Sequence, residues 1–278
     1  MLGRAWRELL IARGIAFTHG DSDRFDITND AGIASAIKAH GVTHVINCAA
    51  WTDVDGAEAH EAAATRINGE GVLIVARACA DAGAMLVHYS TDYVFDGEAT
   101  VPYRTDQPRK PLNAYGRSKA AGEEALELYG GPALNWLCLR TSWLYGPWGK
   151  NFVRTIAAAA LSKPQLRVVN DQRGRPTSAE HLARASLLMI KRGAWGMHHV
   201  TDGGECTWFE FARHITHTLV EGGAKAVATV DPCASAEFPR PARRPTYSVL
   251  DLSRTESVIG PMPDWRGLVR DAVLRCEG

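Results

Sequence analysis

The sequence has no excess of charge of either sign, because its 31 lysine and arginine residues balance 31 aspartate and glutamate residues. A neutral chain offers no overall field that would attract nucleic acid or an anionic membrane surface. No apolar run approaches the roughly 20 residues that span a bilayer, and the first seven residues lack the apolar core of a signal peptide. These absences argue against nucleic-acid and membrane partners and predict a cytoplasmic protein.

The cysteines show neither a Cys-x-x-Cys pair nor the spacing of a zinc finger. Six cysteines are spread along the chain, at Cys48, Cys79, Cys138, Cys206, Cys233 and Cys276. In a cytoplasmic protein this distribution is typical of buried free thiols. His214 and His217 lie three residues apart on a predicted helix, but no third ligand is spaced with them, so we predict no metal site.

The chain of 278 residues is long enough for one large α/β domain, or for a nucleotide-binding domain with a smaller companion. In the first half, short β-rich segments alternate with segments of helical period. Strands are predicted at residues 15–19, 42–50, 85–90 and 135–140, and helices at 2–13, 30–40, 61–82 and 114–128. Strands that alternate with helices form βαβ units, so this half predicts a parallel sheet covered by helices.

The second half continues the alternation and then changes in composition. Helices are predicted at 151–161, 179–190 and 208–221, and strands at 166–169 and 197–200. Six prolines follow Ala224. Because proline removes a backbone donor and fixes φ, we expect neither a regular sheet nor a long helix in this last segment.

Tyr115 and Lys119 lie four residues apart at the start of a predicted helix, so their side chains share one face. A nearby ammonium stabilises a phenolate, so it lowers the pKa of a tyrosine from its ordinary value of about 10 towards neutral pH. Thr91 follows a predicted strand, where a doubly wound sheet presents its carboxyl-end loops to a ligand. Alone, the pair would indicate an exposed helix surface; with Thr91 it predicts a proton-donating site.

Seven sequence blocks in a fixed order carry a resemblance to a known family. They are residues 26–28, 47–58, 90–97, 113–119, 140–146, 170–177 and 243–250. Through these blocks the chain resembles the dTDP-4-dehydrorhamnose reductase family of extended short-chain dehydrogenase/reductases over residues 3–252. The Tyr-x-x-x-Lys pattern is shared by the whole superfamily, whereas Asn-Cys-Ala-Ala at 47–50 and Ser-Thr-Asp-Tyr-Val-Phe at 90–95 are specific.

The resemblance implies an α/β fold: a Rossmann-like doubly wound parallel sheet with a smaller C-terminal substrate-binding domain. The dinucleotide-binding domain would comprise residues 1–146 with return segments near 179–202. The substrate domain would comprise residues 147–178 and 203–278. The oligomeric state, with a homodimer among the options, and a requirement for Mg²⁺ are left open.

The resemblance also assigns chemical roles. Tyr115 would be the general acid that protonates the carbonyl oxygen at C4 of the sugar as hydride arrives from the nicotinamide. Lys119 would hydrogen-bond the nicotinamide ribose and lower the pKa of the tyrosine, and Thr91 would hold the carbonyl oxygen. Asp92 and Trp143 match positions that contact the sugar.

Other matched positions would hold the two nucleotide groups. The positions along the dinucleotide are Gly3, Asp26, Ile27, Ala49, Ala50 and Thr52, and small residues such as the two alanines let a cofactor approach the backbone. Arg243 and Arg244, with Arg240, lie in a proline-stiffened segment and would bind the diphosphate of the substrate, since guanidinium groups suit phosphate oxygens. A solvated basic loop is the alternative for these arginines.

The sequence also lacks the usual beginning of this family, a buried strand followed by a Gly-x-x-Gly-x-x-Gly turn. Only the last of those glycines is represented, by Gly3. Either the true start lies upstream of Met1, or the chain is a truncated paralogue that no longer binds dinucleotide. We expect poor cofactor binding from this chain as written, with exposed apolar strand edges where the strand is missing.

The implied function is NADPH- or NADH-dependent reduction of a dTDP-4-keto-6-deoxy-L-hexose, above all dTDP-4-dehydro-L-rhamnose. Another nucleotide-sugar reductase, epimerase or dehydratase is an alternative, although dehydratases carry Glu where this chain has Tyr93. A non-catalytic subunit resembling the methionine adenosyltransferase regulatory subunit is a second alternative. The missing glycine turn favours that subunit, whereas retention of Thr91, Tyr115 and Lys119 disfavours it. The loop at 20–24 carries both acids and an arginine, which leaves NADPH and NADH undecided.

Overall fold

The structure is a computed structural model that describes residues 1–129 and 134–275. Its helices are α1 (Leu2–Ala12), α2 (Asp30–His40), α3 (Val54–Ala59), α4 (Glu61–Thr65), α5 (Gly71–Ala82), α6 (Ala114–Tyr129), α7 (Phe152–Ser162), α8 (Ala179–Lys191), α9 (Trp208–Glu221), α10 (Ser253–Ile259) and α11 (Trp265–Leu274). Its strands are β1 (His44–Asn47), β2 (Met85–Thr91), β3 (Trp136–Thr141), β4 (Leu144–Tyr145), β5 (Gln165–Val169), β6 (Arg173–Gly174), β7 (Thr177–Ser178), β8 (Gly196–His199), β9 (Cys206–Thr207) and β10 (Thr229–Cys233). A π-helical turn (Arg66–Glu70) joins α4 to α5, and short 3₁₀ helices span Asp92–Val94 and Ser235–Glu237.

A parallel four-stranded sheet in the order β1-β2-β3-β8 forms the centre of the first half. Alternate residues of its strands point to opposite faces. Val87 of β2 and Leu139 of β3 pack with α1 and α8, whereas Leu86 packs with α2, α5 and α6 on the other face. The predicted α/β fold, with a parallel sheet covered by helices, is confirmed.

The second half has an apolar core of its own. Helices α7, α9 and α11 pack with the parallel pair β5 and β10 around Phe211 and Trp265. Thr207 caps α9 through a reciprocal pair of hydrogen bonds with Glu210, which fixes where that helix begins. None of the described helices is long and apolar enough to cross a membrane.

Two predictions about secondary structure are wrong. Residues 15–19 pair with no described strand, and Ile15 and Phe17 are 36% and 37% exposed, so this β-rich segment has no partner that would make it a strand. After Ala224, β10 pairs with β5 despite Pro232, because an edge strand tolerates a residue without a backbone donor.

The cysteine prediction is confirmed for the described residues. Cys79, Cys138, Cys206 and Cys233 are buried free thiols, and Cys48 is a half-buried one. Cys276 lies outside the described residues.

Candidate active site

Thr91 is the last residue of β2 and lies at the carboxyl end of the sheet, in register with Thr141 of β3. Its hydroxyl donates to Asp92 Oδ1 at 3.0 Å and accepts the backbone N–H of Tyr93 at 3.2 Å. These bonds begin the 3₁₀ helix directly after the strand. Thr91 and Asp92 are both buried, so the strand end presents a hydroxyl and a carboxyl group to one small region.

Helix α6 brings Tyr115 to the same place. Its first backbone donors are satisfied by side chains, since Glu58 accepts from Ala114 N and Asn113 accepts from Gly116 N, both at 2.8 Å. A Cβ atom at Gly116 would overlap the carbonyl oxygen of Tyr93, so only glycine lets the 3₁₀ helix pack directly on α6. The rings of Tyr93 and Tyr115 then meet edge to face, with centroids 6.0 Å apart.

Burial dominates the ionisation of both Tyr115 and Lys119. Burial raises the pKa of Tyr115 to about 12, a hydrogen bond with Thr91 opposes this, and the charge of Asp92 raises it further. Lys119 is buried, and its Nζ donates to the backbone carbonyl oxygen of Tyr89 at 2.5 Å. Burial lowers the pKa of Lys119 to about 8. The lowering of the tyrosine pKa by a charged Lys119 stays a prediction, since it acts against the desolvation of both groups.

Unsatisfied polar atoms mark the ends of β2 and β3. Asp92 Oδ2 and Thr141 Oγ1 are buried without a hydrogen-bond partner. The same holds for Arg175 Nε and Thr177 Oγ1, in a segment that is distant in sequence. Ser142, which follows β3, donates to the carbonyl oxygen of Arg175 at 2.6 Å, and this contact joins the two segments. Because native proteins leave few buried polar groups unpaired, this cluster indicates a binding site for a polar ligand.

Asp92 is the most perturbed acid of this cluster. Burial raises its pKa to about 7, against the hydrogen bond that Thr91 donates to its Oδ1. The carboxyl group therefore exchanges its proton near neutral pH.

Trp143 follows β3 and has a φ of 46°, the only positive φ of a non-glycine residue in the described chain. Its ring stacks on Trp208 with centroids 3.5 Å apart and an interplanar angle of 11°. A Cβ atom at Gly174 would lie 2.7 Å from the Trp143 ring, so the glycine makes room for it. Trp143 packs against the second core and so links the sheet to it. Strained backbone persists where packing or function requires it, which is the case at this link.

The predicted cofactor positions lie at the carboxyl edge of β1. Ala49, Ala50 and Thr52 follow this strand and are exposed or half-buried, and a Cβ atom at Gly3 would lie 3.7 Å from Cys48. The first turn of α1 is thus placed beside this edge. Ile27 packs on Gly71 of α5, where a Cβ atom would lie 2.9 Å from its side chain.

Asp26 sits in an exposed turn on the same side of the chain as Ile27, the next residue. Its carboxylate accepts both the backbone N–H and the hydroxyl of Thr28 at 2.9 Å, and these bonds lower its pKa. Asp26 is therefore an ionised acceptor that suits a hydroxyl or amine of a ligand.

Asn68, for which no sequence pattern is a signal, holds the loop after β1 in place. Its side chain accepts from Trp51 N at 2.9 Å, and it donates to Trp51 O at 3.0 Å and to Ser118 Oγ at 2.9 Å. Asn68 lies in the π-helical turn, whose extra residue turns the amide toward the loop. Trp208, the partner of Trp143, was missed in the same way, because both act through contacts distant in sequence.

The two predicted diphosphate arginines differ. Arg244 Nη1 and Nη2 donate to the carboxylate of Asp55 at 2.6 and 2.9 Å, so Arg244 fastens the C-terminal segment to α3. Arg243 has an exposed side chain, and its carbonyl oxygen accepts from Asn113 at 2.8 Å, next to α6. Of the two, only Arg243 presents its guanidinium to solvent.

Within residues 1–129 and 134–275, no three His, Cys, Asp or Glu side chains lie close enough together to hold a metal ion. His214 instead bonds the carbonyl oxygen of Arg266 at 3.1 Å and packs edge-on against Trp265.

A family model described as the RmlD substrate binding domain matches residues 1–277. The chain is 40% identical over 279 residues to a dTDP-4-dehydrorhamnose reductase of Streptomyces griseus, an alignment that covers 98% of this chain and 90% of that protein. The chain belongs to the dTDP-4-dehydrorhamnose reductase family. The resemblance inferred from the sequence blocks is confirmed.

Other members of this family have further names and ligands. The chain is 39% identical over 275 residues to a dTDP-4-keto-6-deoxy-D-glucose reductase of Streptomyces niveus, with 95% of this chain and 90% of that protein covered. The crystal structure of dTDP-4-dehydrorhamnose reductase from Bacillus anthracis in complex with NADP superposes with a TM-score of 0.89. That superposition has 33% sequence identity and covers 99% of this chain and 94% of the other.

Proposed function

We propose that this chain reduces the C4 carbonyl of a dTDP-4-keto-6-deoxy-L-hexose with NADPH or NADH, converting dTDP-4-dehydro-L-rhamnose to dTDP-L-rhamnose. The observation that carries the proposal is the convergence of Thr91, Asp92 and Tyr115 at the carboxyl end of β2. There the phenol lies beside a hydroxyl and a buried acid, in a region with unpaired polar atoms. The names of the family members point to the same reaction class.

The residues at the edge of β1 fit a dinucleotide. The start of α1 approaches Cys48, and the exposed Ala49 places no bulky side chain in the way of a ligand. We assign Gly3, Ala49, Ala50 and Thr52 to the phosphates and ribose, and Asp26 with Ile27 to the adenine. When bound, the nicotinamide cofactor supplies the hydride. A family member binds NADP, which supports this assignment.

Tyr115 supplies the proton. As C4 of the sugar gains a hydride, its oxygen gains electron density and takes the phenolic proton, which leaves a hydroxyl on C4 and a phenolate on Tyr115. The phenolate then recovers a proton from solvent. Thr91 donates a hydrogen bond to the same oxygen, and charge on Lys119 stabilises the phenolate.

The sugar and nucleotide contacts come from three directions. Asp92 accepts or donates a hydrogen bond to a sugar hydroxyl through its unpaired Oδ2. Trp143 offers apolar ring surface to the deoxysugar, and Arg243 offers a guanidinium to the diphosphate. We assign residues 147–178 and 203–278, which contain the second core, to the substrate domain, and residues 1–146 with 179–202 to the cofactor domain. The free thiols fit the reducing cytoplasm in which we place the enzyme.

The test is NADPH oxidation with dTDP-4-dehydro-L-rhamnose by the full chain and its Tyr115→Phe variant. We expect Tyr115→Phe to lower kcat by about 10²- to 10⁴-fold, because the general acid is lost and the ring is kept. Tyr129→Phe is the matched control, since Tyr129 is at the far end of α6 and its hydroxyl accepts only from Arg77 among the described residues. Equal rates for wild type and Tyr115→Phe would refute the role assigned to Tyr115. NADPH oxidation with dTDP-4-keto-6-deoxy-D-glucose alone would show that the substrate is the D-sugar.

A further inference from the structure

Two buried residues beside Lys119 take no part in the mechanism above. They are Asn47, at the end of β1, and His88, its register partner on β2, with exposures of 5% and 1%. His88 Nδ1 lies 3.3 Å from Asn47 Nδ2, and His88 Nε2 lies 3.4 Å from Lys119 Nζ. The imidazole therefore stands between an amide and the amine of Lys119.

Asn47 has its orientation fixed by the loop that follows β1. The backbone N–H of Ala49 donates to Asn47 Oδ1 at 3.0 Å, so this oxygen faces the loop. The amide NH₂ of Asn47 consequently faces His88. Because an NH₂ group can only donate, His88 Nδ1 must be the acceptor of this pair.

The proton of the neutral imidazole therefore sits on Nε2, the atom that faces Lys119. Burial holds the pKa of His88 well below its usual value, so the ring is neutral. An ammonium group has no lone pair, and it would meet the His88 N–H with a hydrogen of its own. A neutral amine can accept that N–H while it donates to the carbonyl oxygen of Tyr89, as observed.

We propose that His88 is a positioning residue for Lys119: its Nε2–H, set by Asn47, favours the neutral amine of Lys119 over the ammonium. The chain of contacts from Ala49 through Asn47 and His88 joins the proposed cofactor loop to this lysine. The assignment of His88 stands on geometry alone, whereas its effect on catalysis rests on the proposed function.

Three titratable groups of the described chain face Lys119. His88 faces it from β2, Cys138 from β3 and Glu123 from its own helix. Burial lowers the pKa of Lys119 to about 8, and the charge of Glu123 opposes that lowering, whereas burial keeps the Cys138 thiol neutral. The N–H of His88 acts in the same direction as burial, since a positive hydrogen near Nζ disfavours a second positive charge.

The consequence for turnover is a dependence on pH. Lys119 gains its charge as the pH falls through its pKa, and the charged form stabilises the phenolate that Tyr115 leaves behind. Reduction should therefore slow as the pH rises through the pKa of Lys119. Removing the His88 N–H should move this limb of the pH–rate profile to higher pH.

The primary test follows the Cε resonance of Lys119 by NMR in full-length protein labelled with ¹³C-lysine, with the signal assigned by its loss in Lys119→Arg. In the wild type we expect a midpoint of pH 8 or below, as burial predicts. In His88→Leu we expect it to rise by about one unit or more, because the opposing N–H is gone. His199→Leu, a buried histidine on β8 that faces Arg140 instead, is the matched control and should leave the Lys119 midpoint unchanged.

A second variant acts from the other end of the chain of contacts. In Asn47→Asp the carboxylate draws the imidazole proton to Nδ1, so Nε2 offers a lone pair to the ammonium and the Lys119 midpoint again rises. ¹⁵N spectra of the wild type should place the proton of His88 on Nε2. A proton on Nδ1, or an unchanged Lys119 midpoint in the folded variants, would overturn the proposal. The titration needs no turnover, so its failure is distinct from a failure of the Tyr115→Phe assay.

Discussion

Helix α6 carries two buried ionic groups one turn apart, Lys119 and Glu123, and their surroundings are hydrogen-bonded in opposite ways. Glu123 accepts from Arg140 Nε at 2.9 Å and Nη2 at 2.7 Å, from Ser90 at 2.5 Å and from Arg109 at 3.3 Å. Lys119 has one carbonyl acceptor and faces a donor. We name Glu123 and its partners Arg140, Ser90 and Arg109 the ion-pair cluster.

The two buried histidines make the same contrast. His199 Nδ1 lies 3.1 Å from the carbonyl oxygen of Asp251, so its proton is on Nδ1, and its Nε2 accepts from Arg140 at 3.3 Å. His88 has the opposite tautomer and turns its N–H toward Lys119. Where a cation supports the fold, its neighbours are acceptors; where it serves the proposed reaction, a neighbour opposes its charge.

The largest expected effect is on the free energy of unfolding and comes from breaking the ion-pair cluster. Glu123→Leu leaves the guanidinium of Arg140, which is 2% exposed, without its carboxylate. We expect a loss of about 3–5 kcal/mol in the free energy of unfolding, because an uncompensated charge remains buried. Urea unfolding measures it.

Glu124→Leu is the control for Glu123→Leu on the same helix. Its side chain is 66% exposed and lies 4.0 Å from Arg109. We expect a change below about 1 kcal/mol, as for other exposed pairs. Equal losses in the two variants would mean that the ion-pair cluster contributes nothing special to stability.

An effect of opposite sign and comparable size is expected at Asp92, whose Oδ2 has no hydrogen-bond partner. Burial raises its pKa to about 7 in the folded chain from 3.8 ordinarily, so the folded state binds the proton more tightly and loses stability as the pH rises from about 4 to 7. Asp92→Asn removes this loss and should be more stable than wild type by up to roughly 4 kcal/mol at pH 8.

Urea unfolding at pH 4 and at pH 8 measures this difference, which should nearly vanish at the lower pH. The same variant should reduce turnover, since the acid that we propose to contact the sugar is gone. A stability difference that did not depend on pH would contradict the raised pKa of Asp92.

The smallest effects separate the two arginines. Arg244→Ala leaves the carboxylate of Asp55, which is 28% exposed, with only the distant Arg240 as a cationic partner, and should lower the free energy of unfolding by about 1 kcal/mol. Arg243→Ala should change it by less than about 0.5 kcal/mol but raise KM for the dTDP-sugar. If only Arg244→Ala raised KM, diphosphate binding would belong to Arg244 rather than to Arg243.

Strongly periodic elements were predictable from the sequence, and contacts between distant segments were not. The prediction of α9 at 208–221 matches the structure, as does that of α2, because each has an apolar stripe and a capping residue at its start. The segment 15–19 has strand-like composition but lacks a partner, a property that local sequence does not contain. For the same reason Tyr115 could be identified from its spacing to Lys119 in the sequence. The roles of His88 and Asn68 could be identified only from the three-dimensional arrangement of strands and loops.

The contact of Gly116 with the Tyr93 carbonyl has a consequence for the design of variants. It is a contact of backbone on backbone, so the spacing between helix α6, which carries Tyr115, and the 3₁₀ helix after β2 does not depend on any side-chain rotamer. Trp143 and Arg243, the proposed contacts of the sugar and the diphosphate, would in contrast act through side chains on other segments. Substrate range can thus be altered at those two positions while the proton-donating half of the site keeps its dimensions.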